Sequence, residues 1–329
     1  PLTESSKDTT LQQLQNSFSS ENNSSLGWFA QATGPYEESI TDSVSFENGT
    51  TAVVGSFQSY IDFSFDFPGP QSTNGQIDID FFIAWLDENG TWLASIGGGS
   101  QGFDKLNSIE KLSSGDIIVS GTYCYNTVGD ECSMTLEGLY PLNKSENDDD
   151  GNVFLARMSS DGVWQWVTQI ESQQEVYEFS LIVTVQDEIH LGTIFTGMVE
   201  FNSQLIPGGD QPSLLIAIFD ENGQAIASLS SISPQGIGLV GELCTNDVGN
   251  TYVVVNYIDE IIFNQIVLNG TGEADIAIAR YDATGWTWAH NAGGSKEDIA
   301  WDCDGTDSGV IVVGEFLGNA SFGDFSTES

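Results

Sequence analysis

The sequence is short of positive charge: 7 Lys and Arg residues stand against 48 Asp and Glu residues, for a net charge of −41 over 329 residues. A surface this negative repels the phosphates of nucleic acids and the anionic lipids of membranes, so both partners are disfavoured. High salt screens the self-repulsion of such a surface, and the composition therefore indicates a marine or halophilic source. Collective binding of cations is the alternative explanation for the charge.

Long apolar runs are also missing. No stretch of about 18 apolar residues is present, so we expect no insertion into a membrane. The two histidines, His190 and His290, lie in separate predicted strands, and no serine-hydrolase elbow, zinc-protease helix or phosphate-binding loop occurs. A single histidine in an apolar strand usually has a structural role. We therefore predict a protein that is not an enzyme and that has no cofactor other than Ca²⁺.

Cysteine is scarce, with four residues and no Cys-x-x-Cys pair, which argues against both a zinc site and a disulfide-built scaffold. Cys124 and Cys132 flank a loop of seven residues and are predicted to form a disulfide. Cys244 and Cys303 occupy similar places in consecutive repeats. They either bridge two repeats or remain two small buried thiols.

A repeated phrase organises the sequence. DFFIAWLDENGTWLASIGG (80–98) recurs in altered form at 152–170, 213–231 and 275–293, so the starts are 72, 61 and 62 residues apart. Each copy reads as an apolar strand, a short turn and a second strand that usually carries tryptophan. A predicted hairpin precedes every copy, and a variable stretch that breaks the pattern separates hairpin and copy. A period near 60 indicates a repeat architecture.

Four antiparallel strands per repeat, in tandem, are typical of an all-β fold of the β-propeller class. Strands such as IIVSGTY and TYVVVNY are apolar on both faces, as expected when each sheet lies between two others. We predict an N-terminal arm or linker at 1–26 and a propeller at 27–329. The predicted units lie near 27–98, 105–170, 177–231, 238–293 and 299–329. Five blades are predicted, with the two chain ends joined in a shared blade. The alternative is part of a larger ring.

The phrases DIAIARYDATGWTW and SGDIIVSGTY resemble the SBBP-type β-propeller repeat of bacterial and archaeal extracellular proteins. The resemblance covers roughly residues 27–329. It departs in the third unit, which lacks the tryptophan and the Gly-Gly loop, and in the long insert of the second. The family resemblance implies the propeller fold and a location at the cell surface. It implies no catalytic residue.

Four acidic residues fall on the predicted innermost strands: Asp42, Glu110, Glu242 and Asp302. Side chains at these positions are expected to face the central channel. A pair of such carboxylates is the machinery of a glycoside hydrolase, which keeps a hydrolase or lyase as one alternative function.

A run of acidic residues at 147–150 suggests a Ca²⁺ site with Asp148 and Asp150 as ligands, because hard oxygen ligands at alternate positions suit this ion. Asn-x-Ser/Thr sequons predict a glycoprotein. Those in predicted turns or loops begin at Asn48, Asn89, Asn143, Asn269 and Asn319.

Together these features predict an acidic, disulfide-containing repeat protein outside the cell or on its surface. The preferred function is a non-catalytic binding or adhesion module for a glycan or a protein. A structural subunit of a surface layer, sheath or filament, linked by strand donation, is the second function considered. It would make the protein a homo-oligomer.

Overall fold

The computed structural model describes residues 28–64, 67–72, 78–125, 132–144, 152–172, 174–323 and 325–328. Within these ranges the chain forms strands and no helix, which confirms the all-β prediction. No element of the described chain is a helix long and apolar enough to cross a membrane.

Four complete units share one topology, in which four strands form an antiparallel meander. Their bounds are as follows. Unit 1 has β1 (Glu38–Ser45), β2 (Thr51–Gln58), β5 (Ile79–Leu86) and β6 (Trp92–Gly98). Unit 2 has β7 (Phe103–Lys111), β8 (Ile117–Tyr125), β11 (Asn152–Met158) and β12 (Trp164–Ser172). Unit 3 has β13 (Val176–Val183), β14 (Ile189–Phe195), β17 (Ser213–Phe219) and β18 (Ala225–Ser231). Unit 4 has β19 (Ile237–Thr245), β20 (Thr251–Tyr257), β23 (Asp275–Asp282) and β24 (Gly285–Gly294).

Unit 5 contributes the first two strands of the same pattern, β25 (Asp298–Thr306) and β26 (Gly309–Phe316). Every unit also carries a short hairpin after its second strand, where the variable stretches of the sequence lie. These hairpins are β3 (Tyr60–Ser64) with β4 (Phe67–Gln71), β9 (Ser133–Met134) with β10 (Leu142–Asn143), β15 (Met198–Phe201) with β16 (Gln204–Pro207), β21 (Glu260–Phe263) with β22 (Ile266–Asn269), and β27 (Asn319–Phe322) with β28 (Phe325–Glu328).

The turns between third and fourth strands follow from their sequence. In unit 1 the Asp87 carboxylate accepts hydrogen bonds from the backbone amides of Asn89 and Thr91, at 2.9 and 2.8 Å. Gly90 supplies the positive φ, +77°, that closes the turn. Unit 3 repeats this with Asp220 and Gly223. The Asp-x-x-Gly phrase therefore has a turn-forming role, because Asp caps its own turn and Gly adopts positive φ at no steric cost.

Packing between consecutive units forms the core. One cluster joins Val54 and Ile83 of unit 1 to Val119 and Phe154 of unit 2. The residues that alternate with these in unit 2, such as Ile118 and Leu155, belong to the next cluster, shared with unit 3. A third cluster joins units 3 and 4. Each of these sheets is thus buried on both faces, which explains why its strands are continuously apolar.

Residues 28–33 precede unit 1 and lie beside its hairpin, where Thr33 forms a bridge with Asp62 of β3. The last part of a fourth strand meets the hairpin of the following unit in the same way at three other places. The pairs there are Glu171 with Glu200, Ile232 with Ile262, and Gly293 with Ser321. Residues 28–33 therefore occupy the position of a fourth strand that precedes unit 1, as the sequence suggests.

The predicted joining of the two chain ends in one blade is not seen among the described strands, where no closed sheet occurs and β25 and β26 form a two-stranded sheet of their own. The predicted equivalence of Trp28 with Trp92, Trp164 and Trp286 is wrong. Those three pair with residues at or next to the ends of their third strands, at Leu86, Met158 and Tyr281. Trp28 instead packs on Gly90 in the turn of unit 1, as Trp166 packs on Gly223 in the turn of unit 3. Each of the two tryptophans lies five residues before the residue that pairs with the hairpin of that unit.

Both disulfides form, Cys124–Cys132 within unit 2 and Cys244–Cys303 between units 4 and 5. The second pair does not occupy equivalent positions. Glu242 and Asp302 are equivalent, because they pair with equivalent residues of their second strands. Cys244 lies two residues after Glu242, whereas Cys303 lies one residue after Asp302. Residues at equivalent positions would point the same way, whereas two cysteines that bridge neighbouring sheets must point toward each other.

We expect removal of the inter-unit disulfide to destabilise the protein more than removal of the local one. The loop-entropy estimate is about 4 kcal/mol for the Cys244–Cys303 loop and about 2.5 kcal/mol for the Cys124–Cys132 loop. Paired Cys→Ala variants compared by denaturant unfolding measure the difference. Non-reducing peptide mapping that recovers either pair as free thiols would contradict the assignment.

A second prediction concerns the contact of Trp28 with the turn of unit 1. A Cβ added at Gly90 would meet the Trp28 ring at 2.5 Å, whereas at Gly162 it would meet nothing within 4 Å. Both glycines have positive φ, +77° and +80°, so the backbone strain of an alanine is matched. Gly90→Ala should cost about 1–3 kcal/mol more than Gly162→Ala, from overpacking. Equal losses in chemical unfolding would show that Trp28 does not pack there.

Candidate carboxylate-lined cleft

The first strands of units 1 to 5 surround one cleft of about 510 Å³. All four acidic residues predicted to face a channel, Asp42, Glu110, Glu242 and Asp302, line it, together with Asp304. Neighbouring first strands lie side by side around the cleft, from β1 to β7, β13, β19 and β25. No lysine, arginine or histidine is among the described residues that line it.

A recurrent irregularity shapes these strands. The register shifts between Ile40 and Asp42 in β1, and the same shift occurs at the corresponding point of β7, β13 and β25. A bulge inserts one residue and re-aims the side chains next to it. The residues just after the bulge, such as Asp42, Ser180 and Asp302, line the cleft.

Asp42 connects two units. Its Oδ2 accepts a hydrogen bond of 2.8 Å from the amide of Ile109 in unit 2, and its Oδ1 accepts one of 2.7 Å from the amide of Ser43. Burial raises the pKa of Asp42, and these two amides oppose the rise. The side chain thus fixes the spacing of β1 and β7 while it presents negative charge to the cleft.

Glu242 is held from unit 3. Ser180 Oγ donates a hydrogen bond of 2.5 Å to Glu242 Oε1 and accepts one of 3.0 Å from the amide of Leu243. Burial raises the pKa of Glu242 to about 7, and the negative charges of Asp302 and Asp42 add to the effect. Because these three acids interact, they share the same space across units 1, 4 and 5.

Glu110 behaves similarly. Burial raises its pKa to about 7, the charge of Asp42 raises it further, and the backbone amide and charge of Lys111 oppose the rise. Near neutral pH both Glu110 and Glu242 therefore exchange a proton with solvent while they lie within reach of other carboxylates. The cleft can act as a proton donor, a cation ligand or a recognition site for positive charge.

Glu178 was not identified from the sequence. It lies on β13, accepts hydrogen bonds from Ser120 Oγ and, at 3.2 Å, from Asn107 Nδ2, and burial raises its pKa to about 7. The register places it at the position of Ile40 and Leu106. An acid at an otherwise apolar position of the repeat is the signal that would have revealed it.

A separate acidic group lies at the junction of units 1 and 2. Asp78, Asp80 and Asp104 are buried, and one carboxylate oxygen of each lies within 4.8 Å of the others. Asp104 accepts hydrogen bonds from the Ser100 amide and hydroxyl and from the Cys124 amide. Burial still raises its pKa to about 7. Three carboxylates in one space are a donor set that suits Ca²⁺.

The junction of units 4 and 5 has a related pair, Asp275 and Asp298, and among the described residues no third acid is grouped with them. Their oxygens accept bonds from the amides of Thr271, Gly272, Gly294 and Leu317. Equivalent carboxylates therefore cap backbone amides at a second junction. The predicted Ca²⁺ ligands Asp148 and Asp150 lie outside the described residues.

The remaining sequence candidates have structural or surface settings. His190 is buried and its Nδ1 lies 3.0 Å from the Tyr281 hydroxyl, whereas His290 is exposed beside Trp288. The sequon asparagines are all exposed, at Asn48, Asn89, Asn143, Asn269 and Asn319. Neither histidine lines the cleft.

Comparison with known proteins gives no match to a family model and none to a curated protein.

The raised carboxylate pKa values predict how stability depends on pH. A carboxyl group with a pKa of about 7 in the folded protein, against 4.5 in the unfolded chain, binds its proton more tightly when folded. Stability should therefore fall as the pH rises from about 4.5 to about 7 and should level off above that.

Glu110→Gln should remove part of this dependence. We expect the variant to gain about 1–2 kcal/mol at pH 8, after allowance for solvent screening, and almost nothing near pH 4.5. Glu88→Gln, in an exposed turn, is the matched control. Urea unfolding at both pH values measures the effect. A Glu110→Gln variant that loses stability at pH 8 would contradict the conclusion that the ionised Glu110 carboxylate destabilises the folded protein.

Proposed function

We propose that the units are consecutive blades of a β-propeller of the SBBP-type repeat. Three observations support this architecture: the repeated four-stranded meander, the apolar cores between consecutive sheets, and the first strands that surround one cleft. In a propeller the innermost strand of each blade faces the central axis.

We further propose that the protein is a non-catalytic binding module, outside the cell or on its surface, and that its cleft receives a basic segment of a partner protein. The carboxylate-lined cleft carries this proposal. Five acidic side chains from four strands converge there, and none of the described lining residues is cationic. A lysine or arginine side chain that enters the cleft would neutralise the carboxylates in place of the protons that they would otherwise take up. This exchange favours binding of a basic segment.

The location rests on other observations. Two disulfides are compatible with an oxidising compartment, and the exposed sequons are open to glycosylation. A glycan ligand is less favoured than a basic protein segment, because a neutral sugar leaves the cleft carboxylates without counter-charge.

The test must distinguish binding in the cleft from binding to the negative charge of the whole surface. A short lysine- and arginine-rich peptide is titrated by calorimetry against the protein and against the double variant Glu242→Gln/Asp302→Asn. The control is Glu88→Gln/Asp161→Asn, which makes the same change in net charge at exposed turns. We expect roughly tenfold weaker binding for the cleft variant, because loss of a buried charge pair typically costs more than loss of a rim charge. Equal weakening in both variants would refute specific recognition in the cleft.

A glycoside hydrolase is the second candidate, supported by glutamates with a pKa of about 7 beside other carboxylates. Glycosidases pair a protonated acid with an ionised partner in this way. Turnover of any member of a polysaccharide panel, lost in both Glu242→Gln and Asp302→Asn, would establish this activity in place of the binding role.

A further inference from the structure

The extra residue at the bulge of a first strand contacts the following unit. The register shifts identify this residue as Thr41 in β1 and Asn107 in β7. Thr41 Oγ1 donates a hydrogen bond of 2.7 Å to the carbonyl oxygen of Leu106 in unit 2. Asn107 Nδ2 donates one of 3.2 Å to Glu178 Oε2 in unit 3. Leu106 and Glu178 are equivalent, so unit 3 offers a carboxylate where unit 2 offers a backbone carbonyl.

The hydrogen bond to Glu178 determines how the Asn107 amide is oriented. Asn107 is half-buried and lines the cleft, whereas Glu178 is not among the described lining residues. An ionised carboxylate accepts hydrogen bonds and donates none, so it binds the NH2 group of the amide. No described residue donates a hydrogen bond to Asn107 Oδ1. The carbonyl oxygen is therefore the part of this amide that is left to face the cleft.

Glu178 is itself held in place at the boundary of units 2 and 3. Ser120 Oγ donates a hydrogen bond to Glu178 Oε1, and the Ser108 side chain also hydrogen bonds to this carboxylate. Burial raises the pKa of Glu178 to about 7, and the hydrogen bonds from Ser120, Ser108 and Asn107 oppose the rise. All three donors come from unit 2, so they stabilise the ionised form that orients Asn107.

The hydroxyl groups that line the cleft present no free donor to a ligand. Thr41 donates to the Leu106 carbonyl, Ser180 donates to Glu242, Ser108 bonds to Glu178, and Thr245 Oγ1 is buried. The described side chains of the cleft therefore offer acceptors, namely five carboxylates and the Asn107 carbonyl oxygen. This suits an ammonium or guanidinium group, because these groups donate hydrogen bonds and accept none.

We propose that Glu178 is a positioning residue of the cleft, which holds Asn107 so that its carbonyl oxygen binds the ammonium or guanidinium group of the partner segment. This role rests on the binding function proposed above and adds a neutral ligand to the carboxylates. Glu178 acts through Asn107 and does not touch the ligand.

Two variants of Glu178 separate positioning from charge, because both lose the same negative charge. Glu178→Gln keeps an oxygen that accepts a hydrogen bond from Asn107 Nδ2, whereas Glu178→Leu keeps none. Leucine should be tolerated, since Leu106 and Ile40 occupy the equivalent positions of units 2 and 1. The lysine- and arginine-rich peptide is titrated against both variants by calorimetry, and urea unfolding checks that both are folded.

We expect Glu178→Leu to bind the peptide roughly tenfold more weakly than Glu178→Gln, which is the loss expected for one hydrogen bond to a charged group. Addition of Asn107→Ala to each variant should abolish the difference, because the two residues act as a unit. Asn107→Ala alone, which retains Glu178, should bind roughly tenfold more weakly than the unmodified protein. This last variant tests the role even where Glu178→Leu does not fold.

Equal binding by the two Glu178 variants would overturn the role of Glu178, and so would a difference that persists without Asn107. Unchanged binding by Asn107→Ala would overturn it as well. These outcomes leave the proposed function of the cleft intact. Failure of the unmodified protein to bind the peptide would instead overturn the proposed function and the role of Glu178 with it.

Discussion

Burial of both faces of each sheet is the constraint on which the structure depends. A four-stranded sheet with apolar side chains on two faces cannot be stable alone in water, so each unit requires a neighbour on either side. Units 2, 3 and 4 have two neighbours, and their second strands are almost completely buried. Among the described residues unit 5 has one, and the exposure of Ile311 and Val313 shows what an uncovered face of the same repeat looks like.

The same packing creates the electrostatic problem of the cleft. Sheets that pack face to face bring their first strands close together, so one acid per strand is enough to crowd carboxylates. Asp42, Glu110 and Glu242 each come from a different unit, and burial raises the pKa of each. Neighbouring carboxylates raise the pKa values of the two glutamates further. Stability alone gives no reason for this arrangement, since neutral residues would avoid the desolvation penalty. The excess of acid is therefore the feature that favours a role in binding.

Much of this fold could be predicted from the sequence because its signals are local. The period near 60, the Asp-x-x-Gly turns and the doubly apolar strands predict the meander and its order, and the structure has both. The variable stretches that break the repeat pattern in the sequence are where the structure has its short extra hairpins. What could not be predicted depends on register between units. Trp28 lies two residues from the strand position that the repeat predicts for it, and Cys244 and Cys303 were matched as equivalents although they must face each other.

The acidic residues in and near the cleft also divide into those that the sequence predicts and one that it does not. Asp42, Glu110, Glu242 and Asp302 were found because they lie on strands that the repeat marks as innermost. Glu178 is not among the described residues that line the cleft, and it was missed because its hydrogen-bond partners lie on unit 2, which the pattern of its own strand does not show. Its position is apolar in units 1 and 2, where Ile40 and Leu106 stand. The strand pattern alone does not distinguish Glu178, which Ser120 and Asn107 hold by hydrogen bonds, from an acid that faces solvent. Alignment of the repeats by the register of their strands makes this distinction.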